Sequence, residues 1–157
     1  MALGVEYDAP DWSQIYNLLL RQAERIRSSG FSPDIIVGIC RGGWVPSRIL
    51  SDLLDNPNLA NVRAESYQGI GKAAQPILTQ RVSTNVEGKK VLLVDEVADS
   101  GKSLQLIIDH LRDQGASEVK TATLYYKSHC AVKPDFYEIE TENWIIFPWE
   151  TKEALQE

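Results

Sequence analysis

Two adjacent carboxylates, Asp95 and Glu96, close the apolar run Val91–Val94 and precede the small polar stretch Asp99-Ser100-Gly101-Lys102-Ser103. Paired acids can hold sugar hydroxyls or a hard divalent cation, which takes oxygen ligands. The stretch after them leads into a helical pattern, and the free N–H groups of a helix start favour phosphate. Acids for hydroxyls beside a cradle for phosphate suit a phosphorylated sugar. Gly101-Lys102-Ser103 looks like the tail of a P-loop, but that motif requires glycine where Glu96 stands, so it is rejected.

A second turn of the same kind is Cys40-Arg41-Gly42-Gly43, after the apolar run Asp34–Ile39. Glycines permit close backbone approach to an anion, and arginine supplies a planar fork for phosphate oxygens. Gly-Gly turns are common, so this turn gains weight only as the partner of the first. Lys127 and Trp144 could serve a ligand as a charged donor and a stacking face. Taken singly, they read as a surface lysine and a core aromatic.

The elements that must position these residues follow from hydrophobic patterning. Asp11 is the expected N-cap of a helix carrying Trp12, Ile15, Tyr16, Leu19, Ala23 and Ile26 on one face and stopped by Gly30. Asp34–Ile39 and Val91–Val94 read as buried parallel strands, each followed by a turn and a helix, Trp44–Leu54 and Leu104–Leu111. Val62–Tyr67 and Ile77–Val82 read as strands flanking a Gly-rich loop, expected over about 67–77, that could close over a ligand. Glu118–Tyr126 is a further strand, and the chain from Asp135 onward reads as irregular. Alternation of strand and helix with short turns gives the fold class: α/β, a mostly parallel central sheet flanked by helices. Acids at the C-terminal end of a central strand would then face the crevice where such sheets bind ligands.

Composition narrows the function. The 157 residues suit one domain spanning 1–157, with 43% hydrophobic and 24% charged residues, as in globular proteins. A net charge of −6 argues against broad nucleic-acid or anionic-membrane binding, so an anionic ligand must be held by local groups. No apolar run is long enough for a membrane span, and the N-terminus lacks the pattern of a signal peptide. Cys40 and Cys130 match no metal spacing and read as reduced thiols in a cytoplasmic protein, with Cys40 expected to be buried.

The stretch Val91–Ser103 resembles the phosphoribosyl pyrophosphate (PRPP) motif of the type I phosphoribosyltransferases: strand, two acids, two apolar residues, then a small polar loop. The second acid there is usually Asp and is Glu96 here, and the second apolar position is the small Ala98. The Arg-Gly-Gly turn resembles the pyrophosphate loop of the purine branch, in which the peptide before the basic residue is often cis. The same is expected of Cys40–Arg41. Ser66-Tyr67 resembles the pair that opens the flexible loop of hypoxanthine-guanine enzymes, which makes Lys72 a residue that could reach pyrophosphate on closure. The segment Asn143–Glu150 resembles the tail of xanthine-guanine enzymes, within a C-terminal hood over about 128–157.

The resemblance implies a Mg²⁺-dependent transfer of the phosphoribosyl group from PRPP to a 6-oxopurine, giving a nucleoside monophosphate and pyrophosphate. It implies that Asp95 and Glu96 hold the ribose hydroxyls and Mg²⁺, that Asp99–Ser103 hold the 5′-phosphate, and that Arg41, Gly42 and Gly43 bind pyrophosphate. Asp99 would take the purine N7 proton. Lys127 would contact the 6-oxo group, Trp144 would stack on the base, and Ile145 would line its site. Ile146 stands where relatives can carry an acid, which favours guanine or hypoxanthine over xanthine. The family commonly forms dimers or tetramers. The rival readings are a non-catalytic PRPP sensor of the same fold and a phosphoribosyltransferase for adenine, a pyrimidine or orotate. Asp99 and Lys127 weigh against the second, and the absence of a basic surface weighs against a DNA-binding regulator.

Overall fold

The computed structural model describes residues 4–67 and 75–154. In chain order the elements are β1 (Tyr7–Asp8), α1 (Trp12–Ser28), β2 (Ile35–Cys40), α2 (Trp44–Leu53), β3 (Leu59–Tyr67) and β4 (Gln75–Gln80). They continue with β5 (Lys90–Ala98), α3 (Lys102–Asp113), β6 (Glu118–Tyr126), β7 (Ile139–Glu140), β8 (Trp144–Ile145) and α4 (Thr151–Ala154). A six-stranded sheet runs β4-β3-β2-β5-β6-β7, and β1 and β8 form a second small sheet. Every pairing is parallel except β3 with β4. The α/β architecture expected from the alternation is the one found.

The central strands are apolar throughout because both faces of the sheet are covered. Successive side chains point to opposite faces. Leu92 and Val94 therefore pack with α1 and α2, while Val91 and Leu93 pack with α3. Ile36 joins the first layer, and Ile35, Val37 and Ile39 join the second.

Asp11 caps α1 as expected. Its carboxylate accepts from the Gln14 N–H at 2.8 Å, and Gln14 Oε1 accepts from the Asp11 N–H at 2.8 Å. The buried arc of α1 is rotated from the expected face: Ile15, Leu18, Leu19, Gln22, Ala23 and Ile26 are inside. Trp12 and Tyr16 are 54% and 44% exposed. Tyr16 lies at the edge of the arc, and Trp12 leans from the first turn onto Trp149, with ring centroids 5.9 Å apart. Gln22 is tolerated inside because its Nε2 donates to the Thr123 carbonyl at 2.7 Å.

Helix α2 sits so close on β2 that only a glycine fits beneath it. A Cβ built on Gly38 would lie 2.3 Å from Ser47 Oγ and 2.9 Å from Ser47 Cβ. Gly38→Ala is expected to lower stability by about 1–3 kcal/mol through overpacking, read from the denaturant midpoint.

Three expectations are corrected. Within the range expected as a loop, 67–77, Tyr67 ends β3 and Gln75 begins β4; residues 68–74, Lys72 among them, lie outside the described residues. The C-terminal segment is not irregular but carries β7, β8 and α4. Cys40 is only partly buried, at the open end of β2, whereas Cys130 is buried; both are free thiols. The C-terminal segment is fastened to the sheet by the 2%-exposed Phe147, which stacks on Trp149 and meets Tyr125 edge-on. Asn143 Nδ2 also donates to Asp8 Oδ1 at 2.9 Å, tying β8 to β1. Among the described residues, no helix is long and apolar enough to cross a membrane.

Candidate active site

Strands β2 and β5 are neighbours and parallel, with Ile35 opposite Val91 and Gly38 opposite Val94. Their C-terminal ends therefore bring the two turns singled out in the sequence to one edge of the sheet. The peptide Cys40–Arg41 is cis, as expected. Gly43 lies against β5: a Cβ there would fall 2.4 Å from the Val94 carbonyl oxygen. Gly42 lies against the acid pair: a Cβ there would fall 1.2 Å from Glu96 Oε2. Gly42 thus makes room for the Glu96 carboxylate and Gly43 for the backbone of β2 and β5, which accounts for two consecutive glycines.

Burial sets the protonation of the acid pair. It pushes the Asp95 carboxyl up to about 7, against the pull of the Glu96 N–H, which donates to Asp95 Oδ1 at 2.9 Å. Glu96 is raised well above the usual carboxylate range, by burial first and then by the charges of Asp95 and Glu150. Its Oε2 is buried with no hydrogen-bond partner among the described residues. Such a pair gains from a positive charge, or from hydroxyl donors, brought in by a ligand.

The loop after β5 enters α3 through Gly101, whose φ of +84° suits glycine. Its missing side chain also makes room for a neighbour, since a Cβ would meet Val132 N at 2.9 Å and Cys130 Sγ at 3.0 Å. Ser66, Asp95, Glu96, Asp99, Ser100, Gly101 and Ser103 line a cavity of about 360 Å³. Lys102 is exposed beside it. A second cavity of about 210 Å³ is lined by Glu96, Val97, Asp99, Lys127, Trp144, Ile145, Phe147 and Glu150. Glu96, Val97 and Asp99 belong to both, so the two cavities meet at the end of β5. A larger hollow of about 680 Å³ lies along α1 and shares no lining residue with either cavity.

Most residues singled out in the sequence gather here, with differences in detail. Lys127 is only 8% exposed, and its ammonium donates to the Asn143 carbonyl, so it is a fixed group rather than a free surface lysine. Trp144 is half exposed and Ile145 is buried beside it. Arg41 turns outward, 70% exposed, and pairs with Glu153 of α4 at 2.7 Å. Tyr67 pairs through its backbone with Gln75. The structure adds residues that the reading of the sequence did not single out. Glu150 and Phe147 line the smaller cavity. His129 lies beside Asp99, with Nε2 2.7 Å from Asp99 Oδ1, and its Nδ1 is 3.3 Å from Glu142 Oε2. His129 stands two residues after Lys127, a position that offered a signal only with the Lys127 site already in view.

The chain is similar to known proteins. The family described as "Phosphoribosyl transferase domain" matches residues 11–155. A xanthine-guanine phosphoribosyltransferase of Cereibacter sphaeroides is 32% identical, over 92% of this chain and 86% of its own. A hypoxanthine-guanine phosphoribosyltransferase of Saccharomyces cerevisiae is 25% identical, over 80% of this chain and 64% of its own. The crystal structure of a purine phosphoribosyltransferase from Pyrococcus horikoshii superposes with a TM-score of 0.84 at 34% identity, covering 92% of this chain and 94% of that one.

Proposed function

The chain belongs to the phosphoribosyl transferase family, and we propose that this purine phosphoribosyltransferase moves the 5-phosphoribosyl group of PRPP to a 6-oxopurine, with hypoxanthine and guanine favoured. One observation carries the reading. The Arg41–Gly43 turn, the Asp95–Glu96 pair and the Asp99–Ser103 loop converge where two cavities share Glu96, Val97 and Asp99. A ligand with a diphosphate, a ribose and a 5′-phosphate, next to a flat base, needs that arrangement.

In this reading Ser100, Gly101, Lys102 and Ser103 hold the 5′-phosphate at the start of α3. Asp95 and Glu96 accept from the ribose hydroxyls. As C1′ loses its bond to pyrophosphate, positive charge grows on the ribose, and these carboxylates stabilise it. The departing oxygen keeps the bond's electron pair, and Arg41 with the Gly42–Gly43 backbone receives the anion. Arg41 must leave Glu153 to do so, a small cost for an exposed ion pair. The purine nitrogen bonds to C1′ while the N7 proton passes to Asp99. Lys127, steadied by Asn143, donates to the 6-oxo group, and Trp144 covers the base against Ile145. Ile146 in the place of an acid leaves backbone carbonyls as acceptors for a 2-amino group. Ser66, Tyr67 and Lys72 belong to the segment that would cover the reacting groups.

The donor set fits Mg²⁺. Asp95 and Glu96 are half-buried neighbouring acids whose ionisation is opposed by burial, with Glu96 Oε2 lacking a partner among the described residues, so a cation would favour their charged form. No group of three or more such ligands occurs among the described residues. Mg²⁺ commonly takes one or two carboxylates and completes its shell with water and substrate oxygens. When bound, it would supply charge neutralisation for the diphosphate. Self-association as a dimer or tetramer belongs to the same reading, supported by Trp12, Tyr16 and Leu20, which stand half exposed along one line of α1. A cytoplasmic setting is supported by the two unpaired thiols.

The test is pyrophosphate release from PRPP with Mg²⁺, supplying hypoxanthine, guanine, xanthine, adenine, uracil and orotate one at a time. Turnover with hypoxanthine or guanine, and weaker turnover with xanthine, is the expected result. Turnover confined to adenine or a pyrimidine would overturn the base-site roles. PRPP binding without turnover on any base would favour a sensor.

A further inference from the structure

Asp99 is not a free carboxylate on a loop. Its side chain is 62% exposed, yet Oδ1 is 2.7 Å from Nε2 of His129. The other ring nitrogen of His129 is 3.3 Å from Glu142 Oε2. Glu142 is itself fixed, its Oε1 accepting from the Ser128 backbone N–H at 2.9 Å and from the Ser128 hydroxyl. The three side chains come from three places: the loop after β5, the turn after β6, and the segment between β7 and β8. The backbone around the array is also tied, since Lys127 N–H donates to the Ala98 carbonyl and Ala131 N–H to the Ser100 carbonyl, at 2.9 and 3.2 Å.

We propose that His129, oriented by Glu142, is a positioning residue for Asp99: it occupies Oδ1 and so leaves Oδ2 as the oxygen that receives the purine proton. The inference deepens the proposed function and rests on the role given there to Asp99. An exposed aspartate on a loop has several accessible rotamers, and a general base must hold one geometry to within a fraction of an ångström. The imidazole confines it. Both ring nitrogens face carboxylates, so the ring serves both partners fully only as the imidazolium, donating one N–H to each. The titratable groups that face it are Asp99 and Glu142, and both raise its proton affinity, Asp99 more than Glu142. The same contacts, with the Ser128 donors first among them, hold the Glu142 carboxyl down to about 2, so Glu142 stays anionic through the working range. The doubly donating state is complete below the ordinary histidine pKa. It is lost only as pH rises through the raised value, because the histidine must then give up one of its two N–H groups.

The experiment is the single-turnover rate of nucleotide formation at saturating PRPP, Mg²⁺ and hypoxanthine, measured across pH, so that slow product release cannot mask the chemical step. His129→Ala is expected to lower that rate by about ten- to a hundredfold with little change in PRPP affinity. His129→Gln, which keeps one N–H donor near Asp99, should recover part of it. Glu142→Gln should move the alkaline limb of the wild-type profile toward lower pH, because the histidine loses one of the carboxylates that raise it. A rate in His129→Ala within about twofold of wild type overturns the proposal, because a base freed from its productive geometry loses far more than that. So does an alkaline limb that stays in place in Glu142→Gln. Asp99→Asn run beside them separates the two levels. If it too retains the wild-type rate, the role of Asp99 fails; if it alone is inactive, only the positioning role of His129 fails.

Discussion

Asp99→Asn is expected to lower the rate of nucleotide formation by about 10²–10⁴-fold while PRPP still binds, the usual loss for a missing general base. Asparagine keeps the size of the side chain and can still accept from His129 through its amide oxygen, so the array with Glu142 need not collapse. The amide cannot take up a proton at neutral pH. The loss should therefore fall on kcat and on kcat/KM for the base, with the PRPP dissociation constant little changed. Direct titration of PRPP with Mg²⁺, beside steady-state kinetics, separates the two. Because Asp99 lines both cavities, the alternative is that it chiefly holds the sugar phosphate. Weakened PRPP binding with a preserved maximal rate would establish that alternative and remove the general-base role.

Gly42→Ala should separate stability from activity. The new Cβ would sit 1.2 Å from Glu96 Oε2 and 2.0 Å from Glu96 Cδ, so the two groups cannot share the space. What stands in the way is the far end of a flexible side chain, and that end can swing aside. The thermal midpoint should change little, with a cost within about 1 kcal/mol. Activity should fall by about 10²-fold, because the displaced carboxylate no longer faces the ribose and the cation. Gly43→Ala makes the contrast, since its Cβ would meet backbone atoms of Val94, Ile39 and Asp95, none of which can move alone. That variant should lose stability first. A fully active Gly42→Ala enzyme would mean that the position Glu96 takes against Gly42 is irrelevant to the reaction.

The central part of the site was readable in the sequence because its signals are local. An apolar strand ending in acids, and another ending in Arg-Gly-Gly, declare both the element and its chemistry within a few neighbouring residues. The mostly parallel sheet follows from the strand–helix alternation, whereas the neighbouring placement of β2 and β5 across α2, β3 and β4 does not. The rotation of α1 was not readable, since Leu18 and Gln22 take their inward places from what they meet, Gln22 by donating to Thr123. Two-residue strands such as β7 and β8 are too short to show a period, so the C-terminal segment looked irregular. His129 was hidden for a different reason. Its partners stand 30 and 13 residues away, and only the return of the chain past β7 brings Glu142 to it. Arg41 offers a converse case: its type suggested a phosphate ligand, and the partner it holds here, Glu153, could not be inferred from spacing.

The neighbouring, parallel placement of β2 and β5 has a consequence for how the chain acquires its ligand. Between their paired residues Gly38 and Val94 the polypeptide makes α2, β3 and β4, so the two halves of the anion site are far apart in sequence. A pairing between residues so far apart in sequence must meet the entropy of closing the loop between them, which short-range contacts do not incur. Neither half alone offers both a phosphate cradle and a diphosphate turn. Affinity for the sugar phosphate is therefore a property of the completed sheet, and ligand binding is linked to folding of the whole chain rather than to any segment of it.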